Sequence, residues 1–263
     1  MRLLFVLVLV FCSYFLNAQN FSGGSLHPVN SNFDELNPVL SPDGKTLFFT
    51  IANHPMNIGG KRDPGDIWTA RWLGDQWSPP AHAGKALNDR TYNAVAGFSP
   101  DGRELYLLSH YDHSGSAART QGISVSLKSD HGWSRPENIV IPYFQNKSTF
   151  LSGTVSPDLK VFVFSAETYG THGVDDLYVT FRENGRWTEP RNLGPGINTQ
   201  FQELSPSLSR DGRMLYFSSN GRKGSGSFDV FAATRLDDTW DQWSVPVNLG
   251  PDINTEGREL YFH

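Results

Sequence analysis

An all-β chain, and within that class a β-propeller, is what the sequence predicts, on three observations. Four separate turn-and-strand markers recur in phase at roughly 55 residues, near the blade periods of propellers. Gly (25), Pro (16) and aromatic residues are plentiful among the 263 residues, as turn-rich β proteins require. No heptad repeat and no sustained helical periodicity offers a competing reading.

The unit is clearest between residues 205 and 249. Ser209, Asp211 and Gly212 form a tight turn in which Gly accepts the positive φ that a Cβ would forbid. Met214, Leu215, Tyr216 and Phe217 are apolar in succession, as in a strand covered on both faces. After a Gly/Ser-rich loop, Asp229, Val230 and Phe231 open a third strand. Trp243 begins the last strand, where Pro246 suits an edge because no ladder N–H is missed.

Three more copies lie on this one. The turn recurs at Ser41–Gly44, Ser99–Gly102 and Ser156–Leu159, the next strand at 46–49, 104–107 and 161–164. The third strand returns at Asp66, at Gly122 and at Asp176, and the edge at Trp77, Trp133 and Trp187. Blades are therefore expected at about 38–80, 94–139, 152–193 and 205–249. Two linkers share a signature, 192–199 and 248–255, each with Asn-Leu-Gly-Pro followed by Ile-Asn-Thr. Residues 257–263 follow the second linker, and Glu259 aligns with Glu203, so they are expected as the first strand of a fifth blade in a protein that continues. The propeller region is thus 38–263, after an entry segment at 20–37.

Residues 1–19 have a charged start, an apolar core and a small-residue end, the features of a secretory signal peptide. The apolar run falls short of the ~18 residues of a membrane span, so the mature chain is expected to have no transmembrane segment. Cys12, the sole cysteine, lies in this leader, so the exported chain would be held by core and ladder without disulfides. The formal charge of −5 and the lack of a basic run exclude a nucleic-acid partner and argue against anionic lipid.

Taken together, Ser-Pro-Asp-Gly, the apolar strand, Asp-hydrophobic-aromatic, Trp-Ser-x-Pro and the Asn-Leu-Gly linker resemble the WD40-like PD40 repeats of TolB-type propellers. The version it is most similar to occurs in exported envelope proteins of Bacteroidota-like bacteria. The resemblance implies a non-enzymatic, periplasmic or outer-membrane-associated scaffold that binds a protein or glycan partner. In relatives such a propeller often precedes an OmpA-like domain, which would add a peptidoglycan link. Three departures stand out: Arg210 replaces the turn Pro, Gly122 replaces Asp, and Leu159 replaces the turn Gly. Leu tolerates positive φ poorly, so blade three's turn is expected to differ.

In a propeller the tight hairpins and the turns before each Trp share one face, and the longer loops share the other. Loops 53–65, 110–121, 167–175 and 220–228 carry His54, Arg62, His110, Tyr111, His113, Arg119, Tyr169, His172, Arg222 and Lys223. Binding groups gather on loops held by a rigid scaffold, so this face is the candidate partner surface; the alternative is that the loops are merely solvated. The His110 and His113 spacing fits no strong metal motif, and no cofactor is expected. Glu35, Glu203 and Glu259 share one repeat position at the entry to the central channel. They could form a cation site, the acid/base pair of a glycoside hydrolase, or simply cap turns; the equivalents in blades two and three are read as Asn93 and Phe150. A third reading makes the propeller the gate of a peptidase. No nucleophile elbow, zinc-protease helix, phosphate loop or calcium loop is present in the sequence.

Overall fold

Apolar residues at consecutive positions need cover on both faces of a sheet, and stacked blades supply it. The computed structural model describes residue 26 and residues 28–111 and 121–262. The leader, Cys12, His113 and Arg119 lie outside the described residues. The first sheet joins β1 (Glu35–Leu40), β2 (Thr46–Ile51), β3 (Asp66–Arg71) and β4 (Ala81–His82) in chain order. The second joins β5 (Val95–Phe98), β6 (Glu104–Leu107), β7 (Ser124–Ser129) and β8 (Gly132–Trp133), with β9 (Glu137–Asn138) also on β7. The third repeats this with β10 (Ser152–Val155), β11 (Val161–Ala166), β12 (Asp176–Glu183), β13 (Arg186–Trp187) and β14 (Arg191–Asn192). The fourth has β15 (Glu203–Leu208), β16 (Met214–Ser219), β17 (Asp229–Thr234) and β18 (Val247–Asn248). All pairings within the sheets are antiparallel, and the four sheets are the blades of a propeller.

Alternation along β11 shows why the runs are apolar throughout. Phe162 and Phe164 face the core shared with blade two, among Tyr106, Leu108 and Ile123. Val161 and Val163 face the core shared with blade four, among Leu215, Phe217 and Phe231. Blades one and two meet through Phe48, Ile67, Leu105 and Leu107 in the same way.

Two polar devices make the unit repeat. In every tight hairpin the Ser hydroxyl donates to the Asp two residues on, at 2.6 Å in all four copies (Ser41, Ser99, Ser156, Ser209). The same hydroxyl accepts the backbone N–H that opens the next strand (Thr46, Glu104, Val161, Met214). Leu159 corrects the expectation for blade three: its turn is the same, with Leu159 at φ 60° where Gly44, Gly102 and Gly212 have 69°, 68° and 66°. Its side chain packs on the core between blades two and three, which offsets the strain of the left-handed backbone.

The second device corrects the reading of the edge. The Trp does not begin the outer strand; it pairs with the end of the third strand, as Trp133 with Lys128 and Trp187 with Arg182. The outer strand proper starts after the Pro and pairs with the middle of the third strand. Between them the Ser or Thr hydroxyl accepts a ladder N–H from the third strand: Ser78 from Arg71, Ser134 from Leu127, Thr188 from Phe181 and Ser244 from Thr234. Trp-Ser-x-Pro is therefore a break in the edge strand whose missing hydrogen bond a side chain replaces.

Residues 258–262 take the next inner-strand position. Glu259 donates its N–H to Phe228 O at 3.0 Å, as Glu203 does to Asp175 O (2.8 Å) and Asn93 to Gly65 O (2.9 Å). Tyr261 has φ 59°, matching Asn37 and Ser205 (both 51°) at the bulge two residues after the Glu. The segment is fixed by Ser207 Oγ donating to Phe262 O and by a Phe262–Tyr216 ring contact at 5.1 Å, rather than by a ladder.

Candidate functional site

The longer loops are built on buried side chains that copy backbone. Asn198 and Asn254 each accept a third-strand N–H (Leu177, Val230; 2.7 Å) and donate to the same residue's carbonyl at 3.0 Å. Asn88 does this with Ile67. The shared linker signature is thus a structural clamp between linker and blade. The Asp at the head of the third strand gathers the loop before it: Asp176 accepts from His172 N and Gly173 N, and Asp229 from Ser225 N and Gly226 N. In blade one Asp66 accepts from Ile58 N and meets the His82 ring at 2.7 Å. Blade two has Gly122 instead because the His110 ring fills that space; a Cβ on Gly122 would lie 2.2 Å from His110 Nε2.

The carboxylates expected at the channel entry are turn caps. Glu203, fully buried, accepts from Thr199 N, Thr199 Oγ1 and Ser219 Oγ at 2.7–2.8 Å. Glu35 accepts from Ser31 and Glu259 from Thr255 across the same four-residue interval. Asn93 holds the position in blade two and accepts from Asp89 N. Strand register corrects the fourth equivalent: Ser152 pairs with Ser165 as Leu204 pairs with Ser218, so Leu151 rather than Phe150 matches Glu203. Each carboxylate accepts from its own linker or entry segment. Among the described residues no three His, Cys, Asp or Glu side chains gather as a metal site would need.

The ten loop-face residues divide. Tyr111 is a core residue, 3% exposed, donating to Leu87 O and bonded to Asn93; burial drives its hydroxyl pKa far up. His110 is largely enclosed, with Nε2 3.3 Å from Ile139 O, and burial lowers its pKa. His54 lies edge-on to Phe33 (4.7 Å) and Trp68 (4.5 Å), and burial lowers its pKa too. Arg222 is spent on the fold: it donates to the carbonyls of Gly196 and Ile197 and lies over Phe217. Arg62, Tyr169, His172 and Lys223 are exposed on the loops of blades one, three and four.

Two concavities were not read from the sequence. A cleft of about 920 Å³ opens on the hairpin face between blades one and two, lined by Phe48, Trp133, Arg71, Lys128 and the turn residues Asp43 and Asp101. A smaller one of about 110 Å³ lies beside Tyr169, lined also by Tyr143, Gln145, Tyr178 and Glu189. The available signal was the linker between blades two and three, which lacks the Asn-Leu-Gly pattern and carries Val140 and Tyr143 instead.

No protein-family model matches the chain, and no curated protein matches it. Solved structures do. TolB from Acinetobacter baumannii is 19% identical with a TM-score of 0.50, over 83% of this chain and 44% of that one. A putative TolB from Agrobacterium tumefaciens is 20% identical, TM-score 0.47, over 80% and 64%. A puromycin hydrolase is 14% identical, TM-score 0.42, over 84% and 30%. This chain therefore spans less than two thirds of the length of these proteins. The likeness is one of fold, a TolB-type propeller. Among the described residues no helix is long and apolar enough to cross a membrane.

Proposed function

We propose that this chain is an exported, non-enzymatic propeller module of the cell envelope whose loop face binds a protein or glycan partner. One observation carries the reading: the repeated acidic groups are committed to turns, while the loop face keeps Arg62, Tyr169, His172 and Lys223 in solvent. Binding asks only for such side chains on a stiff support, whereas hydrolysis asks for an acid and a base free to meet substrate. Export rests on the leader at 1–19, and periplasmic or outer-membrane association on the resemblance of the repeats.

The test is capture from solubilised envelope fractions by the immobilised chain. A partner retained by the native chain and lost with Tyr169→Ala and His172→Ala together, at unchanged thermal midpoint, supports the face. Undiminished capture removes it. Glu203→Gln is expected to leave capture intact; glycan turnover abolished by that change in a still-folded protein would instead establish an enzyme.

A further inference from the structure

The linker between blades two and three contains a turn at 141–144 that holds one aromatic outward. Ile141 is buried and Phe144 half-buried, so both neighbours anchor the turn and Tyr143 between them points to solvent, 81% exposed, at φ 55°. Non-Gly residues held at positive φ cost about 1–2 kcal/mol and persist where the surroundings fix them. Tyr169 is 79% exposed, with Lys147 Nζ 4.3 Å from its ring centre. Both exposed tyrosines line one small concavity.

Aromatic rings back the cleft. Phe164 and Tyr178 stack at 5.9 Å, and Phe144 lies 5.2 Å from Phe164. Tyr178 is 6% exposed, its hydroxyl sealed beside the Asn192 side chain, so it shapes the cleft and does not reach a ligand. At the rim Gln145 and Glu189 are exposed, and among the described residues Glu189 forms no ion pair.

We propose that this cleft is a saccharide subsite that takes one pyranose ring of a neutral oligosaccharide. The exposed Tyr rings supply flat, rigid, amphipathic contact for the C–H face of a sugar. The Gln145 amide and the Glu189 carboxylate at the rim meet its hydroxyls. With one carboxylate (Glu189) and one ammonium (Lys147) beside it the cleft has no net charge to draw an acidic sugar, and the small volume suits a ring rather than a length of peptide. The proposal rests on the reading of the chain as an envelope binding module and names the ligand class that module takes.

Calorimetric titration of the full chain with cellotetraose, and separately with chitotetraose, tests it. One-site binding of at least one sugar is expected, weakened about tenfold (~1.4 kcal/mol) by Tyr143→Ala and by Tyr169→Ala, and unchanged by Lys45→Ala on the opposite face. Both tyrosines are in solvent, so these variants keep the fold. Gln145→Ala, at the exposed rim, is expected to weaken binding without lowering thermal stability. Absence of binding to both sugars at millimolar concentration, or binding retained when both tyrosines are Ala, overturns the subsite. Capture of an envelope partner persisting in that double variant would show the module reading standing while the sugar subsite falls.

Discussion

The linkers that leave blades two and three do the same mechanical task and end in different states. In the linker after blade three, Leu193 and Ile197 are buried, Asn198 clamps Leu177, and Thr199 is tied to Glu203. The linker after blade two meets its needs through Asn146, which accepts from Ser148 N and Glu167 N and donates to Gln121 and Phe150. Its remaining residues are freed, and Val140, Tyr143 and Phe150 reach solvent. Where the repeat device is complete, its Asn, Leu and Ile side chains are consumed by the fold and only Phe201, just beyond it, is a large apolar group in solvent. Where it is replaced, chemistry becomes available to a partner.

Deleting each clamp should separate the two linkers most widely. Asn198→Ala strands the N–H of Leu177 in a buried site, while Leu177 O keeps Leu193 N and Asn192 Oδ1 keeps Gly194 N. At about 1–3 kcal/mol for a stranded group, a loss of roughly 2 kcal/mol is expected in denaturant unfolding. Asn146 is only half-buried, so water can replace it, and Asn146→Ala should cost about 1 kcal/mol. Equal losses would mean the two linkers are not the contrast described.

Blade two differs from its neighbours again at the head of its third strand. Gly122→Ala should destabilise by about 1–3 kcal/mol, the range for overpacking, since its Cβ would meet the His110 ring. His110→Ser in the same chain should remove most of that loss, and a cycle of the four proteins measures the coupling. Independent effects would show that His110 does not account for the glycine.

The same enclosed rings set a pH dependence. His54 and His110 have pKa values lowered by burial, so below about 6.5 the unfolded chain takes up protons that the folded chain refuses. Stability therefore falls as pH drops from 7 through 6.5, and levels once pH is below the folded-state values. His110→Gln should flatten part of this slope. A stability that rises on acidification over that interval would contradict the burial of both rings.

How far the sequence carries depends on whether a residue's task is local. The hairpins and the linkers were legible because Ser41 with Asp43, or Asn192 with Asn198, act within a few residues and repeat, whereas the Trp marker was found but its strand misplaced, because the break after it is filled by a side chain. The apolar runs foretold cover on both faces, which β11 shows. Tyr111 misled because nothing local says that its hydroxyl reaches Leu87, 24 residues away. The cleft at Tyr143 was hidden for a related reason: its walls come from a linker, a loop and an edge strand of different spacing, joined only when blade three packs on blade two.

The smallest expected effect comes from the turn where blade three departs from the others. Leu159→Gly removes the left-handed strain of a side chain at φ 60°, worth about 1–2 kcal/mol, and also restores the residue found in blades one, two and four. It gives up the contact of Leu159 with the core between blades two and three and adds the freedom of Gly to the unfolded chain, about 0.4–1 kcal/mol. The opposing contributions are of similar size, so the midpoint of unfolding should move by less than about 1 kcal/mol in either direction. A loss well beyond that would make Leu159 a true core residue to which the turn is subordinate. A gain of the same size would mean that packing does not offset the strain, and that blade three carries a defect its neighbours avoid.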